Sequence, residues 1–288
     1  MSMTPSVQLD RQAQFRRLIR MTILTLLALM MCYPLIWMVM SSLKPEAQIF
    51  SNPGLFPDEP TTENYWKGWY RMNRPLGVYM LNSLIICLIS IVGNLFSCSL
   101  AAYAFARLSF PFSKTMFAVM LATMMLPFHV TILPQYIVFQ KLEVVNTILP
   151  LVGPKFFAVD AFFIFMMVQF IRGIPRDLDQ AAEMDGCNKY QIFWYVIFPL
   201  CKPALVLVSI FTFIWTWNDF FAQLIYLSDA RKYTAPLALN QFIDATSGES
   251  AWGMLFAISV VTLLPLFALF VLFQKRLAEG IVTTGMKG

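Results

Sequence analysis

The chain has 288 residues, of which 58% are hydrophobic and only 13% are charged. Soluble domains carry about 25% charged residues, so this composition excludes an ordinary soluble protein and predicts an all-α polytopic membrane protein. The net charge of +5 is explained by an uneven placement of Lys and Arg around apolar segments, and no nucleic-acid partner is needed to account for it.

Six apolar windows are long enough to cross a lipid bilayer: 21–43, 80–105, 115–138, 148–170, 204–227 and 252–273. The first follows Arg16, Arg17 and Arg20 as in a signal peptide, but it is too long and lacks a small-residue cleavage site, so we interpret it as a retained span. The predicted organisation is an amphipathic N-terminal segment (1–20), a six-helix transmembrane domain (21–273) and a tail (274–288).

Most of the 21 Lys and Arg residues fall on one side of these windows, and the remainder, Lys155 among them, fall on the other. The side richer in Lys and Arg contains both termini, the linker between the second and third windows, and a loop at about 172–203. Cytoplasmic loops carry an excess of Lys and Arg, so both termini and this loop are predicted to be cytoplasmic.

The outer segment 44–79 is proline-rich and contains Trp66 and Trp69, which favours a short interfacial helix near Asn64–Tyr70. The second span has a small and polar face that favours close helix packing, made of Ser83, Ser90, Asn94, Ser97 and Ala101. Pro127 and Pro134 are predicted to kink the third span. His129 lies between them and is interpreted as structural or as lining a lumen.

The run Asp177–Pro203 predicts two short helices in the fourth loop. Pro175 suits a first helical turn, Asp177 and Asp179 favour its positive end, and Gly186 is able to end it in a left-handed turn. Asn188 followed by Gln191 predicts a capping box that opens a second helix, Ile192 to Phe198, ending at Pro199. Two helices joined by a glycine elbow resemble a docking device; the alternative is an interfacial helix without a partner.

Polar residues of the fifth window lie at helical spacing: Ser209, Thr212, Thr216, Asp219 and Gln223. On a continuous helix Asp219 would lie about 12 Å inside the outer end, where a carboxylate has to face water or a polar partner. Asn218, Trp215 and Trp217 add an amide and flat rings that suit a sugar. The alternative is that these residues only join helices to each other. Asp219 is the one carboxylate that we expect inside the membrane.

The sequence lacks a phosphate-binding loop of the GxxxxGK[ST] type, and its five cysteines do not have metal-ligand spacing. We found no arrangement typical of a catalytic site, so the residues by themselves do not predict an enzyme. The outer loop 228–251 is interpreted either as a contact for a partner or as a solvated connector.

QAAEMDG (Gln180–Gly186) followed by FPLCKP (Phe198–Pro203) resembles the EAA loop of the membrane subunits of bacterial ABC importers. Further segments resemble the carbohydrate branch of that family, and the shorter maltose-type subunit in particular. They are SSLKP after the first span, AAYAFARLSFPFSK after the second, MLPFHVTILPQY in the third, WNDF in the fifth and EGIVTTGMKG at the end. Gln180 and Phe198 depart from the family, which usually has Glu and Leu at these positions.

The resemblance implies the six-helix type I (MetI-like) permease fold in the bacterial inner membrane, and alternating-access import of a sugar or oligosaccharide. It implies a coupling helix that contacts an ATPase through Gln180, Ala181, Ala182, Glu183, Asp185 and Gly186. Because Gln180 is uncharged, Asp179 or Glu183 is expected to supply the charge. The substrate pathway is expected at Thr212, Thr216, Asn218, Asp219 and Gln223.

The implied partners are a second permease subunit, two ATP-binding subunits, an extracytoplasmic solute-binding protein and the lipid bilayer. No cofactor or metal is expected on this chain, since ATP and Mg²⁺ belong to the ATPase subunits. The alternatives are an ABC permease for another solute, such as glycerol phosphate or a peptide, an ion-coupled secondary transporter, and a membrane-embedded enzyme.

Overall fold

The computed structural model describes the backbone of residues 5–52, 54–245 and 251–285, and the side chains of 13–52, 54–243 and 251–274. Within these residues the secondary structure is helical, without strands. The α-helices are α1 Pro5–Ser42, α2 Gln48–Ser51, α3 Glu63–Tyr70, α4 Leu76–Arg107, α5 Ser113–Thr123, α6 Phe128–Lys141, α7 Leu149–Val152, α8 Ala161–Arg172, α9 Asp177–Met184, α10 Lys189–Ile192, α11 Phe198–Leu200, α12 Lys202–Asn218, α13 Phe221–Tyr226, α14 Ala235–Ala245 and α15 Trp252–Gly285. Gly153–Phe157 and Ala230–Lys232 are 3-10 turns, and Phe193–Ile197 is a π-turn.

Four helical segments are long and apolar enough to cross a membrane singly: Ala13–Ser42, Leu76–Arg107, Leu149–Arg172 and Trp252–Gln274. Two further spans are bent pairs, Ser113–Thr123 with Phe128–Lys141 at 103° and Lys189–Leu200 with Lys202–Asn218 at 76°. The six-helix prediction is confirmed when each bent pair is counted as one span. The third and fifth spans are not the continuous helices that their windows suggested.

The third span breaks where Pro127 was expected to bend it. Pro127 immediately precedes α6 and has an extended conformation. Proline is tolerated at this position because the first residues of a helix have no helical acceptor for their N–H groups, and proline has no N–H. Pro134 lies inside α6, which continues on both sides of it, and the kink expected at Pro134 stays a prediction.

The fifth span ends at Asn218, and Asp219 is extended at φ −69°, ψ 107°. The Asp219 carboxylate accepts a hydrogen bond of 3.1 Å from the Ala222 N–H, which begins the separate helix α13. A side-chain acceptor at this spacing favours a new helix start over continuation of the old helix. The predicted unbroken polar face through Gln223, and the 12 Å depth derived from it, are therefore wrong.

One compact unit consists of Met1–Trp69 with Ala245–Val261. In it the short helix predicted near Asn64–Tyr70 is confirmed as α3, and Asn64 of that helix donates hydrogen bonds of 2.8 Å to the carbonyls of Ser42 and Lys44. Lys44 is buried and donates to the carbonyl of Asn52 at 2.9 Å. The SSLKP segment thus closes the turn after the first span.

The other unit consists of Tyr70–Asp244 with Thr262–Gly288. Its main core lies where α4 packs against α8 and α12. The small polar face of α4 is buried, as close packing predicts: Ser90 and Asn94 are fully enclosed, and a Cβ on Gly93 would come within 3.0 Å of Lys155 and Phe156. Glycine is therefore required for this close approach.

Three predicted features fall partly outside the described residues. Helix α1 runs without interruption from Pro5 through residue 20, but the side chains of 1–12 are not described. The tail motif EGIVTTGMKG and residues 246–250 of the outer loop also lie outside the described side chains.

Candidate functional site

The first helix of the predicted docking loop is α9, Asp177–Met184, with Asp177 and Asp179 in its first turn as predicted. Pro175 lies before this helix rather than in its first turn. Carboxylates at a helix N-terminus are stabilised by the macrodipole. Local sequence therefore explains where α9 begins.

The elbow after α9 is a Schellman motif centred on Gly186. The Cys187 N–H donates to the Ala182 carbonyl at 2.9 Å and the Gly186 N–H to the Glu183 carbonyl at 3.0 Å. Gly186 has φ +85°, so the predicted left-handed turn is confirmed. Glycine adopts this conformation without the steric cost that a Cβ brings.

The predicted capping box is also confirmed. The Gln191 N–H donates to Asn188 Oδ1 at 2.9 Å, and the Asn188 N–H donates to Gln191 Oε1 at 2.8 Å. The helix after it was predicted to end at Pro199, but helical structure continues through Pro199 to Leu200. A π-turn at Phe193–Ile197 lies between α10 and α11 in the continuous helical run Lys189–Leu200, and Pro199, which has no N–H to donate to the preceding turn, follows shortly after it.

Two residues of α4 fasten this loop to the transmembrane core. The Tyr103 hydroxyl donates to the Lys189 carbonyl at 3.1 Å, and Arg107 Nη2 donates to the Ile174 carbonyl at 2.7 Å. Arg107 Nε also lies 2.9 Å from Asp179 Oδ2, and both side chains are largely buried. Sequence reasoning missed these contacts because they join residues far apart in the chain.

The predicted coupling residues divide between two faces of the elbow. Ala182 is buried in the chain's own core, whereas Gln180, Ala181, Glu183, Asp185 and Gly186 are exposed. Asp179 is turned inward to Arg107, and Glu183 forms an exposed ion pair with Lys189. The outward charge therefore belongs to Glu183 rather than to Asp179.

Large apolar side chains surround the exposed face of the elbow. Met184 is 88% exposed, and Leu178, Tyr190 and Tyr195 are also open to solvent. We define the exposed elbow surface as these four residues together with Gln180, Ala181 and Glu183. An apolar patch with a polar margin is typical of a protein-binding surface. The sequence motif identified the small residues of the elbow but not these large apolar ones.

A polar cluster joins the second, fourth and fifth spans. Lys155 Nζ lies 2.9 Å from Asp160 Oδ2, and Asn94 Nδ2 donates to the same oxygen at 2.8 Å and to Thr212 Oγ1 at 3.1 Å. The fourth span is interrupted here, with Ala158 at φ +53°. We name Asn94, Lys155, Asp160 and Thr212 the polar cluster.

The polar cluster corrects one prediction. Lys155 lies within the segment Leu149–Arg172, in agreement with the window 148–170, and Asp160 adds a second carboxylate to the spans besides Asp219. Opposite charges five residues apart offset each other's cost in an apolar environment, and broken helices in transporters often carry such groups.

The predicted pathway residues of the fifth span are not equally accessible. Thr212 and Gln223 are buried, and Gln223 bonds Thr234 and the Thr216 carbonyl. Asn218 is exposed and Thr216 and Asp219 are half-buried, so these three have accessible surface in the isolated chain. Asn218 Nδ2 donates to the Ile214 carbonyl at 2.8 Å, which leaves its oxygen free to accept.

The two tryptophans of this span also differ. Trp217 is buried, stacks on Phe213 at 5.5 Å and donates to the Thr262 carbonyl at 3.2 Å, so its ring is not offered to a ligand. Trp215 is 47% exposed and stacks on Phe163. Of the two rings predicted for sugar contact, Trp215 alone presents an open surface.

His129 lies at the broken third span and packs against Phe221 of α13, with ring centroids 4.7 Å apart. This contact joins the breaks of the third and fifth spans. Among the described residues, no group of His, Cys, Asp and Glu is arranged to hold a metal ion. Discontinuous helices that meet as these two do are typical of transporters. The fold and its site thus define a polytopic helical membrane transport subunit.

Comparisons with known proteins place the chain in a family. A profile described as binding-protein-dependent transport system inner membrane component matches residues 93–282. A probable ABC transporter permease protein of Pyrococcus horikoshii is 34% identical over 86% of this chain and 90% of that protein. A diacetylchitobiose uptake system permease protein of Streptomyces coelicolor is 30% identical, over 90% of this chain and 85% of that protein.

A solved structure has the same fold. It belongs to a bacterial ABC transporter involved in the import of the acidic polysaccharide alginate, with a TM-score of 0.80 and 22% identity, covering 92% of this chain and 97% of that one. The chain therefore belongs to the family of inner-membrane components of binding-protein-dependent ABC transport systems. It is a multi-pass permease subunit, as the sequence motifs predicted.

Proposed function

We propose that the chain forms half of the translocation pathway of an ATP-driven importer of sugars or oligosaccharides. The single observation that supports this most is the exposed elbow surface, which is rigidly attached to the membrane core by Tyr103 and Arg107. A partner that moves the elbow must also move the end of α4.

The proposed partner at the elbow is an ATP-binding subunit. Met184, Leu178 and Tyr190 supply apolar area, and Gln180 and Glu183 supply hydrogen-bond acceptors at the margin. Ala182 contributes from the inside, since its small side chain allows α9 to sit closely on the core. ATP and Mg²⁺ would bind to two such subunits, and nucleotide-driven closure would tilt the attached spans.

The other proposed partners are a second permease subunit, which completes the pathway, and an extracytoplasmic solute-binding protein. In the proposed orientation both termini and the elbow are cytoplasmic, following the distribution of Lys and Arg. The outer loop at 228–251 would then face the binding protein.

A saccharide is proposed as the substrate because relatives are named for diacetylchitobiose and for arabinooligosaccharides, the latter from Halalkalibacterium halodurans. In this chain Asn218, Asp219 and Thr216 offer hydrogen-bonding groups and Trp215 offers an open ring. A sugar ring has flat apolar faces, which can stack on the open aromatic ring, and hydroxyls, which can hydrogen-bond to the polar side chains.

The elbow contact is tested by cysteine cross-linking in the assembled transporter. After Cys32 and Cys187 are replaced by Ser, we expect Met184→Cys to form an adduct with a cysteine-bearing ATP-binding subunit that changes with nucleotide state. The buried position in the same helix, Ala182→Cys, is the matched control and should form none. No adduct from Met184→Cys in any nucleotide state would contradict the proposal, as would sugar accumulation by this chain alone in sealed vesicles.

A further inference from the structure

A basic cleft opens beside the elbow, where three spanning segments end. It has a volume of about 630 Å³ and lies between the linker after α4 and the segment that leads into α9. Its polar lining consists of Arg107, Ser109, Ser113, Lys114, Arg172 and Arg176. Arg107 and Arg172 end the second and fourth spans and Ser113 begins the third, so the cleft lies at the boundary between the apolar spans and water.

The charge of the cleft is not neutralised from within. Arg107 is engaged by Asp179 and by the Ile174 carbonyl. Lys114, Arg172 and Arg176 are exposed, and among the described residues none of the three is paired with a carboxylate. Arg172 lies over the Phe117 ring at 5.5 Å, which holds its guanidinium at the cleft wall. The cleft is thus lined by three cations that no described carboxylate neutralises.

The rim of the cleft is apolar on the side of the third span. Phe112 is 78% exposed, and its φ of +61° is a conformation that a bulky residue rarely adopts. Met116, one turn further along α5, is 53% exposed. The lining residue Lys114 lies between these two exposed apolar residues in the chain, and this combination matches a molecule with an anionic head and hydrocarbon tails.

We propose that this cleft binds the phosphate headgroup of an anionic phospholipid, with its acyl chains along Phe112 and Met116. Basic pockets between spanning helices at the membrane surface have the chemistry for such headgroups. Arg172 and Arg176 present planar donor groups that suit phosphate oxygens, and Lys114 adds a point charge from the facing linker. A bound lipid would join the linker after α4 to the segment that leads into α9.

A lipid that connects the linker after α4 to the entry of α9 would also affect the coupling of ATP hydrolysis to transport. This effect on coupling rests on the proposed function, whereas lipid binding itself does not. The linker and the entry to α9 move together when a lipid holds both, which adds a third attachment to those of Tyr103 and Arg107. Anionic lipid would therefore raise the transport obtained per ATP without contacting the solute.

The test is native mass spectrometry of the full-length chain in detergent with phosphatidylglycerol and, separately, phosphatidylethanolamine. We expect one phosphatidylglycerol to be retained with preference over phosphatidylethanolamine. In the triple variant Lys114→Gln, Arg172→Gln, Arg176→Gln its affinity should fall about a hundredfold, since each cation near a lipid surface contributes about a fivefold factor. The control variant Arg16→Gln, Arg17→Gln, Arg20→Gln loses the same charge outside the cleft and should retain the lipid.

Several outcomes would overturn the proposal. Equal retention of phosphatidylglycerol by the native chain and the triple variant would do so, as would equal retention of the two lipids. Displacement of the lipid by millimolar inorganic phosphate would show a site for a free anion. Loss of the ATP-binding subunits when the triple variant is purified within the assembled transporter, with its lipid unchanged, would show a protein interface. If the triple variant does not insert, Lys114→Gln and Arg176→Gln are measured singly, each with an expected fivefold loss.

Discussion

Arg107 and Asp179 form an ion pair that joins the last residue of α4 to the first turn of α9, with Nε and Oδ2 2.9 Å apart. Asp179→Asn should lower the free energy of unfolding by about 1–3 kcal/mol, because it leaves Arg107 largely buried without its counter-charge. ATP hydrolysis in the assembled transporter should continue while sugar uptake falls. Thermal unfolding and uptake per ATP in proteoliposomes measure the two effects.

The matched control for this pair is the charge exchange Arg107→Asp with Asp179→Arg. Because the exchange restores opposite charges across the same contact, part of the lost coupling should return. If both single and exchanged variants transport as the native chain does, the ion pair does not carry motion from the elbow to α4.

Gly186 offers a second test, because its φ of +85° is set by the Schellman motif. Gly186→Pro should abolish uptake with normal membrane insertion, since proline fixes φ near −65° and removes the N–H that bonds Glu183. Gly186→Asn is the control, because asparagine tolerates the left-handed conformation, and it should retain most uptake. Uptake is measured in proteoliposomes, and insertion by protease accessibility. Native uptake by the proline variant would remove the elbow from the mechanism.

The polar cluster predicts a difference between single and paired substitutions. Asp160→Asn should cost about 1–3 kcal/mol of stability, since Lys155 and Asp160 are each about three-quarters buried and Lys155 would be left without a counter-charge. The double variant Lys155→Met, Asp160→Leu should recover insertion and thermal stability, because no charge then remains. The exposed pair Lys67–Glu63 is the control, and Glu63→Gln should have no measurable effect. Equal stability of the single and double variants would contradict the pairing.

The outer loop after α13 should respond to acid. Hydrogen bonds from the side chain and the backbone N–H of Arg231 lower the pKa of Asp229 from 3.8 to about 2. Because the folded pKa is depressed, the stabilisation is complete above the ordinary value and is lost as the pH falls from there through about 2. Hydrogen exchange of peptides covering 228–234 should therefore be faster in Asp229→Asn than in the native chain near neutral pH, with the difference gone at about pH 2. A difference that persists in acid would assign the effect to another cause.

The parts of the fold that sequence predicted are those set by local chemistry. The Asn188–Gln191 box and the Gly186 turn depend on residues within a few positions of each other, so their patterns suffice. The six apolar windows were identifiable for the same reason, since length and composition determine whether a segment can span.

The parts that sequence missed depend on partners distant in the chain. Asp160 looked unremarkable in an apolar window, and its role follows from Lys155 nearby and Asn94 on another span. The break at Asp219 was hidden because helical spacing continued past it, although the side chain caps a new helix. Likewise Trp217 matched a sugar-binding pattern but is enclosed by Phe213 and Thr262.

The polar cluster also bears on how the chain enters the bilayer during synthesis. Asn94 belongs to a span made before Lys155 and Asp160 leave the ribosome, whereas Thr212 is made after them. The fourth segment therefore carries its own counter-ion, and the amide that bonds Asp160 belongs to a span synthesised before it. Thr212 is the one member of the polar cluster that is synthesised after the other three.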